Sequence, residues 1–121
     1  MRGFGDLESA IMDQVWSAGR PLLVREIQRA LYPERAYNTV WTVTEILYRK
    51  GWLARDKDGR AYRYRPTTSR EDYTAGLMGE VFDTSTDRLA TLRLFVERID
   101  PAEADKLRAM LDEARGDGAG S

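Results

Sequence analysis

The sequence predicts a mainly α fold with one small β-hairpin, and three observations predict it. Apolar residues recur at three- and four-residue steps up to position 50 and again after position 69. Between these stretches the period drops to about two. An Asp-Gly pair, Asp58-Gly59, lies inside that short alternating stretch. The element order that follows is three helices, a two-stranded hairpin and three more helices.

The first helix is expected over Asp6–Ala18, where Leu7, Ala10, Ile11, Gln14, Val15 and Ala18 share a face. Asp6 is the expected N-cap and Gly19 the stop. Val24–Leu31 follows with Val24, Ile27, Ala30 and Leu31 apolar, and it ends at Tyr32-Pro33, because proline pushes the preceding residue out of the helical region. The third helix is expected from about Asn38 to Lys50, with Gly51 closing it. Trp52–Arg55 and Ala61–Arg65 then read as strands joined by residues 56–60. Pro66 ends the second strand. A helix over Ser69–Val81 has a capping box of Ser69 with Asp72, and another begins near Thr86. The last opens on Asp100-Pro101-Ala102-Glu103, which combines an N-cap, a proline at the first helical position and an acid at the third. Residues 116–121 are Gly-rich and read as a disordered tail. Three helices followed by a hairpin is the layout of a winged helix-turn-helix, with the third helix as reader and the hairpin as wing.

Composition removes most enzyme chemistry. The 121 residues suit one domain or a compact module with a small appendage, and they include no cysteine and no histidine. Disulfides, thiolate nucleophiles, Ser-His-Asp triads and ordinary zinc sites are thereby excluded. A carboxylate site built on Glu45, Asp56 or Asp58 lacks a paired motif, and each of these has an easier reading as a surface or turn residue. No enzyme activity and no cofactor are expected. No apolar run is long enough to span a membrane, and Met1 to Asp6 has no apolar signal core, so the expected location is the cytoplasm. The net charge of -1 hides an asymmetry. Residues 1–70 hold 13 basic and 8 acidic side chains, whereas residues 71–121 hold 6 and 12. Such a split suits a basic binding module joined to an acidic partner-facing one; ordinary solvated surface charge is the alternative.

Several motifs fall in a consistent order: Gly5-Asp6-Leu7-Glu8, Ile11-Met12-Asp13-Gln14-Val15-Trp16, Val24-Arg25-Glu26-Ile27, and Ala36-Tyr37-Asn38-Thr39-Val40-Trp41-Thr42-Val43. Arg49-Lys50-Gly51 and Gly59-Arg60-Ala61-Tyr62-Arg63-Tyr64-Arg65-Pro66 complete them. Together they resemble the BlaI/MecI/CopY family of bacterial repressors over about residues 5 to 115. The resemblance implies a homodimeric winged-helix repressor, with a DNA-binding domain at 1–70 and a helical dimerisation region at 71–115. It also implies inverted-repeat operators with TACA/TGTA-type half-sites, control of beta-lactam resistance or cell-envelope genes, and induction by a sensor-protease that cuts the repressor. The scissile Asn-Phe pair of those relatives aligns with Leu94-Phe95, so the Phe is kept and the Asn is replaced. The copper-sensing branch uses a C-terminal cysteine cluster, which this chain lacks.

On the third helix Val40, Val43, Leu47 and Thr44 should face the first two helices. Asn38, Thr39, Thr42 and Ile46 fall on the opposite stripe as candidates for base readout, Thr and Ile through a methyl group. Asn38 could instead be an N-cap, and Thr39 and Thr42 plain surface. Relatives often carry Met at Trp41 and Arg at Ile46. Glu45 is expected to accept from a cytosine or to pair with Arg49 at the i,i+4 spacing. Phosphate contacts are expected from Arg25, Arg49, Lys50, Lys57 and Arg60, with Arg63 and Arg65 as weaker candidates. Tyr62, Tyr64 and Trp52 read as wing core, and Tyr37 as packing at the helix entrance. The dimer surface is expected from Tyr73, Leu77, Val81, Leu89, Leu92, Phe95, Val96, Ile99, Leu107 and Leu111, some of which must hold the helices to one another. The competing readings are a winged-helix protein-interaction module and a repressor released by a small-molecule effector.

Overall fold

Residues 3–119 are described by a computed structural model. The order is α1 (Asp6–Ala18), β1 (Leu22–Leu23), α2 (Val24–Leu31), α3 (Tyr37–Arg49), β2 (Leu53–Asp58), β3 (Ala61–Pro66), α4 (Arg70–Asp83), α5 (Arg88–Arg98) and α6 (Pro101–Ala119). The mainly α winged-helix layout is therefore present, with one strand more than the sequence predicts. Leu22 and Leu23 pair antiparallel with Tyr64 and Arg63, which gives a three-stranded sheet of order β1-β3-β2. A strand of two residues carries no readable period; it forms because β3 offers it a free edge.

Helix starts follow backbone needs more closely than residue-type preference. Gly5, not Asp6, is the N-cap of α1, and the Glu8 carboxylate accepts from the Gly5 N–H at 3.1 Å. The same device starts α2, where Glu26 accepts from the Leu23 N–H at 2.9 Å. In both cases a glutamate three residues into the helix satisfies an N–H that the helix itself leaves unpaired. Ala36 precedes α3, so Asn38 sits inside the helix and does not cap it. Gly19, Gly51 and Gly59 take φ of 65°, 89° and 65°, left-handed conformations that stop α1, turn the chain after α3 and begin the two-residue hairpin turn. Ser69 Oγ accepts from the Asp72 N–H at 3.0 Å, Asp87 caps α5 through the Ala90 N–H at 3.0 Å, and Asp100 caps α6 through the Ala102 N–H at 3.1 Å.

The chain divides into two units, Met1–Glu80 and Val81–Ser121. In the first, Ile11, Met12 and Val15 of α1, Val24 and Ile27 of α2, and Val40, Thr44 and Leu47 of α3 are buried together with Leu22, Leu53 and Tyr64. The buried Thr44 hydroxyl donates to the Val40 carbonyl at 2.7 Å, so no polar group is stranded in this core.

The boundary falls at Glu80 rather than at residue 70, and Tyr73 supplies the reason. Its ring stacks on Phe4 at 4.3 Å and lies 5.5 Å from Trp52 and 5.6 Å from Trp16, while its hydroxyl accepts from the Phe4 N–H at 2.8 Å. Trp16 donates in turn to the Thr68 carbonyl at 2.8 Å. The first turns of α4 thus belong to the winged helix. Trp52 belongs to this aromatic cluster and not to the wing core. With the boundary at Glu80 the first unit holds 13 basic and 11 acidic side chains and the second 6 and 9, so most of the apparent charge split disappears.

In the second unit no residue of α5 is buried. Val81, Leu89, Leu92, Leu94, Phe95, Val96, Met110 and Leu111 are exposed, and Ile99 and Leu107 are half-buried. Helix α6 extends through Gly116 to Ala119, positions assigned to the tail by composition alone. Gly120 and Ser121 lie outside the described residues. No helix among the described residues is long and apolar enough to cross a membrane.

Candidate nucleic-acid interface

Helix α3 presents an exposed stripe, polar at its ends, because its other face is committed to the core. Val40, Thr44 and Leu47 are buried and Val43 is half-buried, which leaves Asn38, Thr39, Thr42, Ile46 and Arg49 exposed on the outer side. All four residues expected to read bases therefore lie on the free face. Trp41 flanks them, 47% exposed.

Beside α3 the wing is held by one side chain that sequence reasoning missed. Arg55 of β2 donates to both carboxylate oxygens of Glu45, at 2.5 and 3.1 Å, and to the Tyr64 hydroxyl at 3.3 Å. Its guanidinium lies 3.9 Å from the Tyr48 ring centre and 4.1 Å from that of Tyr62. The Tyr64 hydroxyl first, and then the Glu45 carboxylate, hold its pKa above the ordinary arginine value. Glu45 is therefore taken by Arg55 and not by Arg49. The register places Arg55 opposite Tyr64 on β3, so folding brings a partner that spacing along the helix cannot reveal. Tyr62 is 39% exposed and covers this guanidinium instead of filling a wing core; Tyr64 alone of the pair is buried.

A second network ties the wing to α2. Glu26 accepts from Arg20 at 2.8 Å and from Arg63 at 3.2 Å, and Arg63 also donates to Asp58 at 2.7 Å. The Arg20 hydrogen bond, followed by that from the Leu23 N–H, lowers the Glu26 pKa from 4.5 to about 2. A lowered carboxylate pKa contributes stability that is complete above the unfolded value and is lost as pH falls through the folded one. The stability difference between the native chain and Glu26→Gln, measured by urea unfolding, is expected to be constant above pH 4.5 and to shrink toward about pH 2. A difference that did not change across that window would remove this assignment.

These ion pairs sort the cations. In the first unit Arg20, Lys50, Arg55, Arg63, Arg65 and Arg70 each have a carboxylate partner. Arg25, Arg49, Lys57 and Arg60 are exposed and have none among the described residues. Four of the five cations expected to meet phosphates are thus free. The fifth, Lys50, is held only by an exposed 3.5 Å contact to Glu8. Arg63 and Arg65 are engaged by Asp58, Glu26 and Asp56. Between α2, α3 and the wing lies a cleft of about 550 Å³ whose lining includes Arg25, Tyr37, Trp41, Arg60 and Tyr62. Tyr37 is exposed at this cleft and does not pack away at the helix entrance. No cluster of metal-ligating side chains occurs among the described residues.

Residues 4–113 match the model of the penicillinase repressor family. The chain belongs to that family. This repressor is 43% identical to the transcriptional regulator BlaI of Mycobacterium tuberculosis over 114 residues, which cover 90% of this chain and 83% of that one. In fold it is similar to a Staphylococcus aureus MepR variant bound to an oligodeoxyribonucleotide, with TM-score 0.54 and 19% identity over 94% of this chain and 79% of the other. It is equally similar to the transcriptional regulator Tm0710 of Thermotoga maritima, with TM-score 0.54 and 20% identity over 93% and 74% of the two chains. The family and the fold neighbours are transcription regulators, not enzymes.

Of the residues expected at a dimer surface, Tyr73 is engaged in the aromatic cluster of the first unit, and Leu77 is half-buried beside Gly3. Val81, Leu89, Leu92, Phe95, Val96 and Leu111 of this repressor are exposed in the second unit.

Proposed function

We propose that this DNA-binding transcriptional repressor acts as a homodimer on an inverted-repeat operator, with α3 in the major groove and the wing cations on the flanking backbone. The observation that carries the reading is the sorting of charge. Six of the twelve described cations of the first unit are neutralised within the chain, whereas Arg25, Arg49, Lys57 and Arg60 project without a carboxylate, as do Arg29 and Arg35. Free cations around an exposed polar helix face supply both phosphate anchoring and a base-reading edge.

The second chain follows from α5 and α6. A helical unit of this size that exposes six large apolar side chains expected at an interface has a patch suited to protein contact, and an identical chain covers it symmetrically. Control by a sensor-protease acting at Leu94-Phe95 fits the exposure of both side chains, but the bond lies within α5. Cleavage there requires local opening of the helix, so the rate of cutting should follow the opening equilibrium.

Selection of duplexes from a random pool, followed by mobility shift and sedimentation, tests the proposal. The expected outcome is an inverted repeat with half-site centres about 10 bp apart, carrying two chains. Recovery of unrelated sequences bound with equal strength would sink it and favour a protein-interaction module.

A further inference from the structure

We propose that this repressor reads the middle of each half-site through thymine methyl groups, contacted by Thr42, Ile46 and Trp41. The inference rests on α3 being the reading element and goes beyond it by naming what α3 recognises.

At about 100° per residue, Thr42 and Ile46 are adjacent on the helix surface, with Trp41 on the wing side of Thr42. The Glu45 carboxylate and the Thr42 hydroxyl proton are already engaged. Glu45 is held by Arg55, so it cannot accept from a cytosine amino group without breaking that pair. The Thr42 hydroxyl donates to the Asn38 carbonyl at 2.8 Å, so its proton is not available to a base acceptor, and it offers a base its methyl group and its oxygen lone pairs. Apart from the Trp41 indole N–H, the free donors of the face lie at its ends, Asn38 and Thr39 in the first turn and Arg49 in the last.

Between those ends the surface is apolar, with Trp41 47% and Ile46 39% exposed. In the major groove guanine offers two acceptors and needs a donor, adenine needs a donor-acceptor pair such as a side-chain amide, and cytosine needs an acceptor. Thymine alone offers a methyl group. The apolar strip formed by Ile46, the Thr42 methyl and the Trp41 ring is complementary to that methyl group. Burying one methyl-sized group corresponds to an affinity change of about fourfold.

The test uses the full chain and the duplex obtained by selection, with each thymine replaced in turn by deoxyuridine, which removes the methyl and leaves pairing unchanged. Affinity is expected to fall about fourfold at one or two central positions of each half-site and to stay within about twofold elsewhere. Ile46→Ala and Trp41→Ala, both at exposed positions, should abolish the thymine-uracil difference at the base each covers while leaving the salt dependence of binding unchanged. Circular dichroism establishes that the variants are folded. If every replacement leaves affinity within about twofold while 7-deazaguanine at a half-site guanine costs more than about tenfold, methyl reading is overturned. Sequence-specific, salt-dependent binding would survive that result, so failure of methyl reading is separable from failure of the DNA-binding role.

Discussion

Binding to the selected duplex is expected to fall about 10³- to 10⁵-fold between about 50 and 200 mM salt. Arg25, Arg49, Lys57 and Arg60 lack carboxylate partners among the described residues, and Lys50 is loosely held, so two chains bring enough cations for about 6 to 10 phosphate contacts. Each neutralised phosphate releases a condensed counterion, and that release sets the slope. The prediction does not depend on net charge, which is -1 for the whole chain. It depends on which cations are already paired. Arg60→Ala should therefore lower the slope by about one per chain, whereas Arg63→Ala, which removes a guanidinium held by both Asp58 and Glu26, should change it little. Equal slopes for the two variants would contradict the sorting of free from paired cations.

Leu92→Asp is expected to produce a monomer whose winged helix stays folded but whose affinity for an inverted repeat is lower by about 10²- to 10⁴-fold. This is the gain that linking two binding events normally provides. Leu92 is 44% exposed within α5 and has no core to disrupt, so a charge there acts on the partner surface and not on folding. Sedimentation and a mobility shift against a single half-site separate the two effects. Affinity for the half-site should be unchanged. A variant that stays dimeric and binds normally would remove α5 from the interface.

Element order was legible because long apolar stripes at helical spacing require a buried face. Asp6–Ala18 and Val24–Leu31 were readable to the residue for this reason. What was not legible depended on contacts between distant segments. β1 exists only because β3 lies beside it. Tyr73 reads as part of an apolar helix stripe, yet Phe4, 69 residues earlier, claims it. The site divides in the same way. The exposed stripe Asn38, Thr39, Thr42 and Ile46 follows from helix geometry alone. Arg55 was missed because an arginine in a short alternating strand looks like solvated surface; only the register of the hairpin shows that it lies opposite Tyr64, within reach of Glu45.

The Arg55 clasp also has a consequence for the free energy of association. A two-stranded hairpin is marginally stable in isolation, and a wing that became ordered only on DNA would lose conformational entropy at the moment of binding. Here the third strand, the two tyrosine rings and Glu45 hold the wing against α3 in the free protein. Ordering is completed during folding, so the spacing between reading helix and wing is set before any duplex arrives. On the proposed reading of α3 and the wing, the repressor meets its operator as a preorganised template, and discrimination falls on DNA whose groove and backbone already match that spacing.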